Sequence, residues 1–323
     1  MRHHLYPIKF HPILKEKIWG GEKLRQILNK KSQSANIGES WEISDVKQDI
    51  SVVSNGELQG ATLKELLVTY RDELIGITNF ENFGETFPLL IKFIDAKEDL
   101  SIQLHPNDEL AKQRHNSFGK TEMWYVMQAD YQANLIIGFN KKITPELYQK
   151  HLRSKTLTKI LNIDKVKKGD TYFIEVGRVH AIGAGVMLAE IQQTSDITYR
   201  LYDWDRKDKQ GQVRELHNDL ALEAIDFNMK DDFRVSYSKM YNRANNMISC
   251  SYFTTNYLHL IEEIEKINTH DSFIIYICIE GQANIIFNGV NETINKGETI
   301  LMPAVLKRFK IDSNNVKLLE VYI

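Results

Sequence analysis

The sequence predicts a mostly β chain: two jelly-roll-type β-barrels, the first with helical insertions, the second a degenerate copy. Three observations carry that prediction. Short runs of β-branched and aromatic residues, broken by turn signals, fill residues 87–202 and the chain from about Met247 onward, a pattern of barrels and sandwiches. An internal repeat is present. Gln132-Ala133-Asn134-Leu135-Ile136-Ile137 matches Gln282-Ala283-Asn284-Ile285-Ile286-Phe287, and Lys168-Gly169-Asp170-Thr171 matches Lys296-Gly297-Glu298-Thr299. Between those matches the first copy is longer, and the excess carries helix signals.

In chain order, Ile18 to Leu24 reads as a turn running into a short helix, and Gly38 to Ser44 as a strand by alternation. Thr62-Leu63-Lys64-Glu65 is a capping box, followed by Leu63, Leu66, Leu67, Tyr70 and Leu74 at helical spacing. Strands follow at Pro88–Ile94, Leu100–His105, Glu122–Met127 and Ala133–Phe139, with Asn107 capping a helical turn to Arg114. Thr144-Pro145-Glu146 opens the inserted helix, with Thr as cap and Pro at the first position, running with one break to about Leu161. Strands resume at Asp170–Val176 and Val186–Gln192. The last part reads as strands Leu258–Ile261, Phe273–Ile279, Ala283–Phe287, Thr299–Met302 and Val316–Tyr322, with turns at Glu280-Gly281 and Asn288-Gly289. The expected division is residues 1–240, a catalytic barrel with insertions, and residues 241–323, a second β domain.

A chain of 323 residues can bury a sizeable core in each of two domains. A net charge of −2 with interspersed signs gives no footprint for nucleic acid or an anionic membrane. Apolar runs such as Phe273–Ile279 are too short to span a bilayer, and Met1 to Pro7 lacks the apolar stretch of a secretory signal. Cys250 and Cys278 are far apart and form no spaced metal pair, so reduced thiols of a cytoplasmic protein are expected. A homodimer is the one assembly the sequence leaves in view.

The chemistry concentrates around Gln103-Leu104-His105-Pro106. Gln103 and His105 stand two apart, so on a strand they face one side while Ile102 and Leu104 face packing. Glu122, beside Trp124, and His180 after Gly177 complete two imidazoles, one carboxylate and one amide, a usable donor set for a divalent metal. The remaining eight histidines have no supporting spacing. Gly183-Ala184-Gly185 lacks the third glycine and the strand-to-helix context of a dinucleotide loop.

Gly169, Gly177 and His180 are spaced as in the second motif of cupins, with Glu175 where proline is usual. Together with Gly38-Glu39-Ser40-Trp41-Glu42, Ser101 to Asp108, and Gly119-Lys120-Thr121-Glu122-Met123-Trp124, the stretch from Trp19 to Arg206 resembles the type I mannose-6-phosphate isomerases, in their short bacterial form. The resemblance implies an aldose–ketose isomerase acting on a phosphosugar, with one Zn²⁺ held by His105, Glu122, His180 and Gln103; iron or another divalent metal suits the same donors. It also implies a catalytic Arg200, ten residues after Glu190, with Arg206 where longer relatives have lysine. Proton transfer between C2 and C1 needs a base, and both Lys120 and Glu190 are candidates. Ser101 and Arg206 are candidates for the phosphate.

In the second copy, Phe273-Ile274-Ile275 occupies the place of Glu122, and motif spacing puts Arg308 at the place of His180. That barrel is therefore expected to be metal-free. Two rival readings share the same donors: another cupin metalloenzyme, such as an iron dioxygenase or a different sugar isomerase, and a sugar-binding bicupin without catalysis.

Overall fold

The structure, a computed structural model, describes residues 3–208, 210–230 and 232–323. Two facing sheets form the first barrel. One has six strands in the order Ile13–Gly21, Ile37–Ile43, Leu89–Ala96, Val186–Gln193, Glu122–Ala129, Thr171–Ile174. The other has five, in the order Tyr199–Tyr202, Ile102–Leu104, His180–Ile182, Asn134–Phe139, Leu161–Lys165. The central strands Leu89–Ala96 and Val186–Gln193 are buried throughout, and alternation assigns their apolar side chains to one of two cores. Ile94, Trp124, Val126 and Leu188 turn into the barrel and meet Leu135, Ile137 and Ile182 from the opposite sheet. Ile91, Phe93, Met123, Tyr125, Ala189 and Ile191 point outward into a core shared with the second barrel.

The second barrel is an eight-stranded sheet curled around the long strand Ile274–Phe287. The same alternation recurs: Ile274, Tyr276 and Cys278 face its interior, and Ile275, Ile277 and Ile279 face the shared core. The inserted helix Pro145–Arg153, capped by Thr144 with Pro145 at its start, and the helix Asn218–Ala224 cover the outer face of the five-stranded sheet.

The repeat seen in the sequence is a repeat of register. Thr171 pairs with Tyr125 and Tyr172 with Trp124; Thr299 pairs with Ile277 and Ile300 with Tyr276. Both Lys-Gly turns run through a positive φ, 91° at Gly169 and 84° at Gly297, which glycine adopts without steric cost. Along this register Ile274 stands where Glu122 does. Motif spacing, however, misplaces the other site by one residue. Ile285 pairs with Ile311 and Ile286 with Lys310, as Leu135 pairs with Ile182 and Ile136 with Ala181. Counting along that ladder puts buried Phe309 at the place of His180, and Arg308 points to solvent beside Glu265.

Other expectations need correction. Glu280-Gly281 is not a turn: Ile274–Phe287 is one strand that shifts register between Cys278 and Glu280, with Gly281 at φ 78° providing the bend. The helix after the capping box ends at Tyr70, because Arg71 takes a positive φ of 51° before the short helix Asp72–Ile75. Ile18 to Gly21 is not turn but the end of strand Ile13–Gly21, with the helix Lys23–Leu28 following. Further strands outside the sequence reading include Leu161–Lys165, Ala244–Ser249, Ile264–Ile267, Val290–Asn295 and Arg308–Asp312, all short and rich in polar residues.

Candidate active site

Strand pairing brings the distant motifs together before any side chain is considered. Gln103 lies opposite both Arg200 and His180, so these three form one row across the five-stranded sheet. Lys92 lies opposite Trp41 and Glu190, and Glu190 opposite Trp124, forming a second row across the six-stranded sheet. Directly paired residues project to the same face. The two rows converge on a cavity of about 450 Å³ inside the first barrel.

His180 lines this cavity, and behind it lie His105 and Glu122; all three are about 1 % exposed, and one donor atom from each lies within 4.8 Å of the others. His105 Nδ1 donates to the Ile197 carbonyl at 2.7 Å and His180 Nδ1 to the Arg178 carbonyl at 2.8 Å. Both Nε2 lone pairs therefore face the carboxylate, at 3.3 Å for His105 and 3.8 Å for His180. Burial, followed by the nearby Lys120 charge, pushes the His105 imidazole down to about 4, and burial also lowers His180, so both imidazoles are neutral. Burial acts to raise the Glu122 carboxyl, but Lys120 and His105 outweigh it and hold it well below its ordinary range. Neither Glu122 oxygen accepts a hydrogen bond, although Lys120 Nζ lies 2.6 Å from Oε1. The buried carboxylate thus has one ion-pair partner, Lys120, and no hydrogen bond to either oxygen. A divalent cation fits the gap, since two neutral imidazoles and a carboxylate surround it. The Gln103 amide is 3.4 Å from His180 Nε2, and a flip of that amide turns its oxygen to the same point.

Beside these donors, Lys120 Nζ is 3.2 Å from His105 Nε2. Both oxygens of Glu190 are engaged, one by Lys92 Nζ at 3.0 Å and one by Trp124 Nε1 at 2.8 Å. Ser101 Oγ donates to Gln103 Oε1 at 3.2 Å and lies 3.4 Å from Arg200 Nε. Lys120, Glu190, Ser101, Gln103, His180 and Arg200 all line the cavity. Arg206 does not: its Nη2 donates to Asp203 at 2.8 Å, and its Nη1 lies 3.7 Å from Glu98.

Several lining residues escaped the sequence reading. Lys92 is the clearest, a single cation in the otherwise apolar run Leu89 to Ile94 and only 5 % exposed. That isolated buried charge was the available signal. Trp41, Glu39 and Arg214 also line the cavity. Burial would raise the Glu39 carboxyl, but Lys92 and Lys17 outweigh it, and Trp41 Nε1 donates to it at 2.7 Å.

Comparison with known proteins agrees with this geometry. Residues 8–132 match the family model described as phosphomannose isomerase type I, catalytic domain, and residues 243–323 match that of the mannose-6-phosphate isomerase cupin domain. The chain is 36 % identical over 309 residues to mannose-6-phosphate isomerase ManA of Bacillus subtilis (strain 168), spanning 95 % of this chain and 96 % of the relative. It is 34 % identical over 315 residues to the mannose-6-phosphate isomerase of Streptococcus mutans, with 95 % and 96 % covered. The crystal structure of the Bacillus subtilis mannose 6-phosphate isomerase superposes with a TM-score of 0.89 at 32 % identity, over 99 % of this chain and 100 % of that one. An Archaeoglobus fulgidus protein solved as a putative mannosephosphate isomerase shares the fold at 22 % identity and a TM-score of 0.79, over 98 % of each chain. Likeness that extends through both barrels, with three convergent donor residues beside the cavity, places this chain in the type I phosphomannose isomerase family.

Proposed function

We propose that the chain interconverts mannose 6-phosphate and fructose 6-phosphate by moving a proton between C2 and C1 through a cis-enediol. The observation that carries this reading is the buried His105–Glu122–His180 triplet, its carboxylate free of hydrogen bonds, reached at His180 from the cavity in a chain of this family. His105, Glu122 and His180 would hold the metal, with Gln103 as a further donor, and zinc, which has no redox chemistry, suits such N/O donors. Bound there, a divalent cation polarises the sugar oxygens next to the carbon that loses its proton.

The chain's own residues then have distinct tasks. Lys120 stands beside the donor cluster and is assigned the proton transfer. Glu190 is the alternative base, but a proton arriving there must displace Lys92 or Trp124. Arg200 stabilises negative charge developing on substrate oxygen and, with Ser101, faces the phosphate end. Arg206 stands behind them on Asp203. In the second barrel, Ile274 and Phe309 at the positions of Glu122 and His180 offer no donor atoms, so a single metal per chain is expected. The division at residue 240 separates the barrel that reacts from the barrel that supports it.

The test is a coupled assay for fructose 6-phosphate on purified protein, before and after a chelator and again after divalent metal is restored. Turnover that disappears and returns is expected. Protein fully loaded with metal that leaves mannose 6-phosphate unchanged would end the proposal.

A further inference from the structure

Two arginines, Arg206 and Arg214, pair with one buried carboxylate, Asp203, and a third, Arg200, lines the cavity together with Arg214. Asp203 is 5 % exposed. Its Oδ2 accepts from Arg214 Nε at 2.7 Å, and its Oδ1 accepts from both Arg214 Nη2 and Arg206 Nη2. Arg200 forms no ion pair among the described residues; its Nη1 donates to the Glu215 carbonyl at 2.8 Å. Elsewhere in the site each cation has a carboxylate of its own: Lys92 has Glu190 and Lys120 has Glu122. Around Asp203, two guanidinium groups share one buried carboxylate and Arg200 is paired with none among the described residues, while the Glu98 carboxylate 3.7 Å from Arg206 and the Glu215 carboxylate near Arg200 are both more than half exposed. Burial, and then the charge of Arg214, weaken the hold of Arg200 on its proton. Like charges gathered in a partly buried site destabilise the fold unless an anion compensates them. A phosphomonoester does so, and its oxygens suit guanidinium forks.

Arg214 lines the cavity together with Arg200 and Ser101, whereas Arg206 lies outside it. We propose that Arg214, with Arg200 and the Ser101 hydroxyl, grips the substrate phosphate, and that Arg206 acts only through Asp203, as a positioning residue. The proposal rests on the phosphosugar reading above and assigns the residues that select the phosphorylated sugar.

The experiment compares wild type, Arg214→Ala and Arg214→Lys in three measurements: melting temperature without ligand, its rise with inorganic phosphate, and kcat and KM on mannose 6-phosphate. In the alanine variant Asp203 keeps Arg206 on Oδ1 but loses its donor on Oδ2, so the ligand-free melting temperature should fall. The phosphate-induced rise should vanish, and KM should climb about 10-fold to 100-fold while kcat falls far less; lysine should recover part of the KM. A lower ligand-free melting temperature, with the phosphate response and KM as in wild type, would mark Arg214 as structural and overturn the proposal. An inactive wild type that binds phosphate through Arg214 would defeat the isomerase reading and leave the cradle standing. An active enzyme whose phosphate response ignores Arg214 would do the reverse.

Discussion

His105 and His180 each direct Nδ1 to a backbone carbonyl, so backbone geometry alone orients the two Nε2 atoms at Glu122. The imidazole of His105 is neutral inside the fold, with its value lowered from 6.5 to about 4. In the metal-stripped protein the unfolded chain takes up a proton there that the folded chain refuses. Its contribution to stability is complete above pH 6.5 and is lost as pH falls from 6.5 toward 4, by on the order of 3 kcal/mol. Glu122, held low, adds a loss of the same sign further into acid. Urea midpoints should therefore fall between pH 7 and pH 4.5 in the stripped wild type, and less steeply in His105→Gln; parallel profiles would show that His105 is not the group involved. The proton-transfer assignment is decided by isotope loss. With deuterium at C2 of mannose 6-phosphate, Lys120→Met should block washout to solvent and cut kcat by about 10²-fold to 10⁴-fold. Glu190→Gln should keep washout while slowing turnover, and washout at wild-type rate in Lys120→Met would move the base elsewhere. The donor residues were legible because spacing and alternation put Gln103 with His105, and the glycines before His180 fix a turn. Lys92 was legible only as a lone cation in an apolar run, and Arg214 not at all, because its place at the cavity comes from a loop brought in by the fold, which no local pattern reveals.

Elements with strong local chemistry were legible, and those defined by their neighbours were not. Thr62 accepts from the Glu65 N–H, and Glu65 Oε2 accepts from the Thr62 N–H, so the capping box seen in the sequence is complete in the fold. Its helix buries Leu63, Leu66, Leu67 and Tyr70 in the core shared by the barrels, away from the substrate cavity. Thr62→Ala should cost about 1 kcal/mol of stability and leave kcat/KM unchanged. Chemical denaturation with activity assays checks both halves; an equal loss of activity would mean that this helix steers the site. Asn288-Gly289 is a hairpin, as its residues demand, joining Ile274–Phe287 to Val290–Asn295. Glu280-Gly281 carries a similar turn signal, yet the strand continues, because Glu280 pairs with Lys317 and Gly281 with Val316 along Val316–Tyr322. Tertiary pairing overrides the local preference there.

At the scale of the whole molecule, the two barrels are bound by a core that neither owns. Ile91, Phe93 and Tyr125 from the first meet Ile275, Leu319 and Val321 from the second, with the helix Leu63–Tyr70 packed between. Phe87 and Phe273 approach to 4.8 Å between ring centres. The backbone is shared as well: Ile8 exchanges hydrogen bonds with Leu301, and Ala304 and Val305 donate to the Leu74 and Glu73 carbonyls. Asp271 of the second barrel caps the helix Ile77–Phe83 of the first, accepting from the Ile77 and Thr78 N–H groups at 2.9 Å each. An outer face this apolar cannot stand in water by itself. The whole chain should therefore melt in one calorimetric transition, with equal calorimetric and van't Hoff enthalpies. A fragment ending at residue 240 should keep every metal ligand yet aggregate, because removing the second barrel exposes Phe87, Ile91, Phe93 and Tyr125 together. A soluble, cooperatively folding 1–240 fragment that binds metal and turns over mannose 6-phosphate would show that the shared core is a convenience of packing. An insoluble fragment, rescued by co-expression with residues 241–323, would show that the second barrel is needed to hold the first in shape, although its own interior offers no donors at the positions of Glu122 and His180.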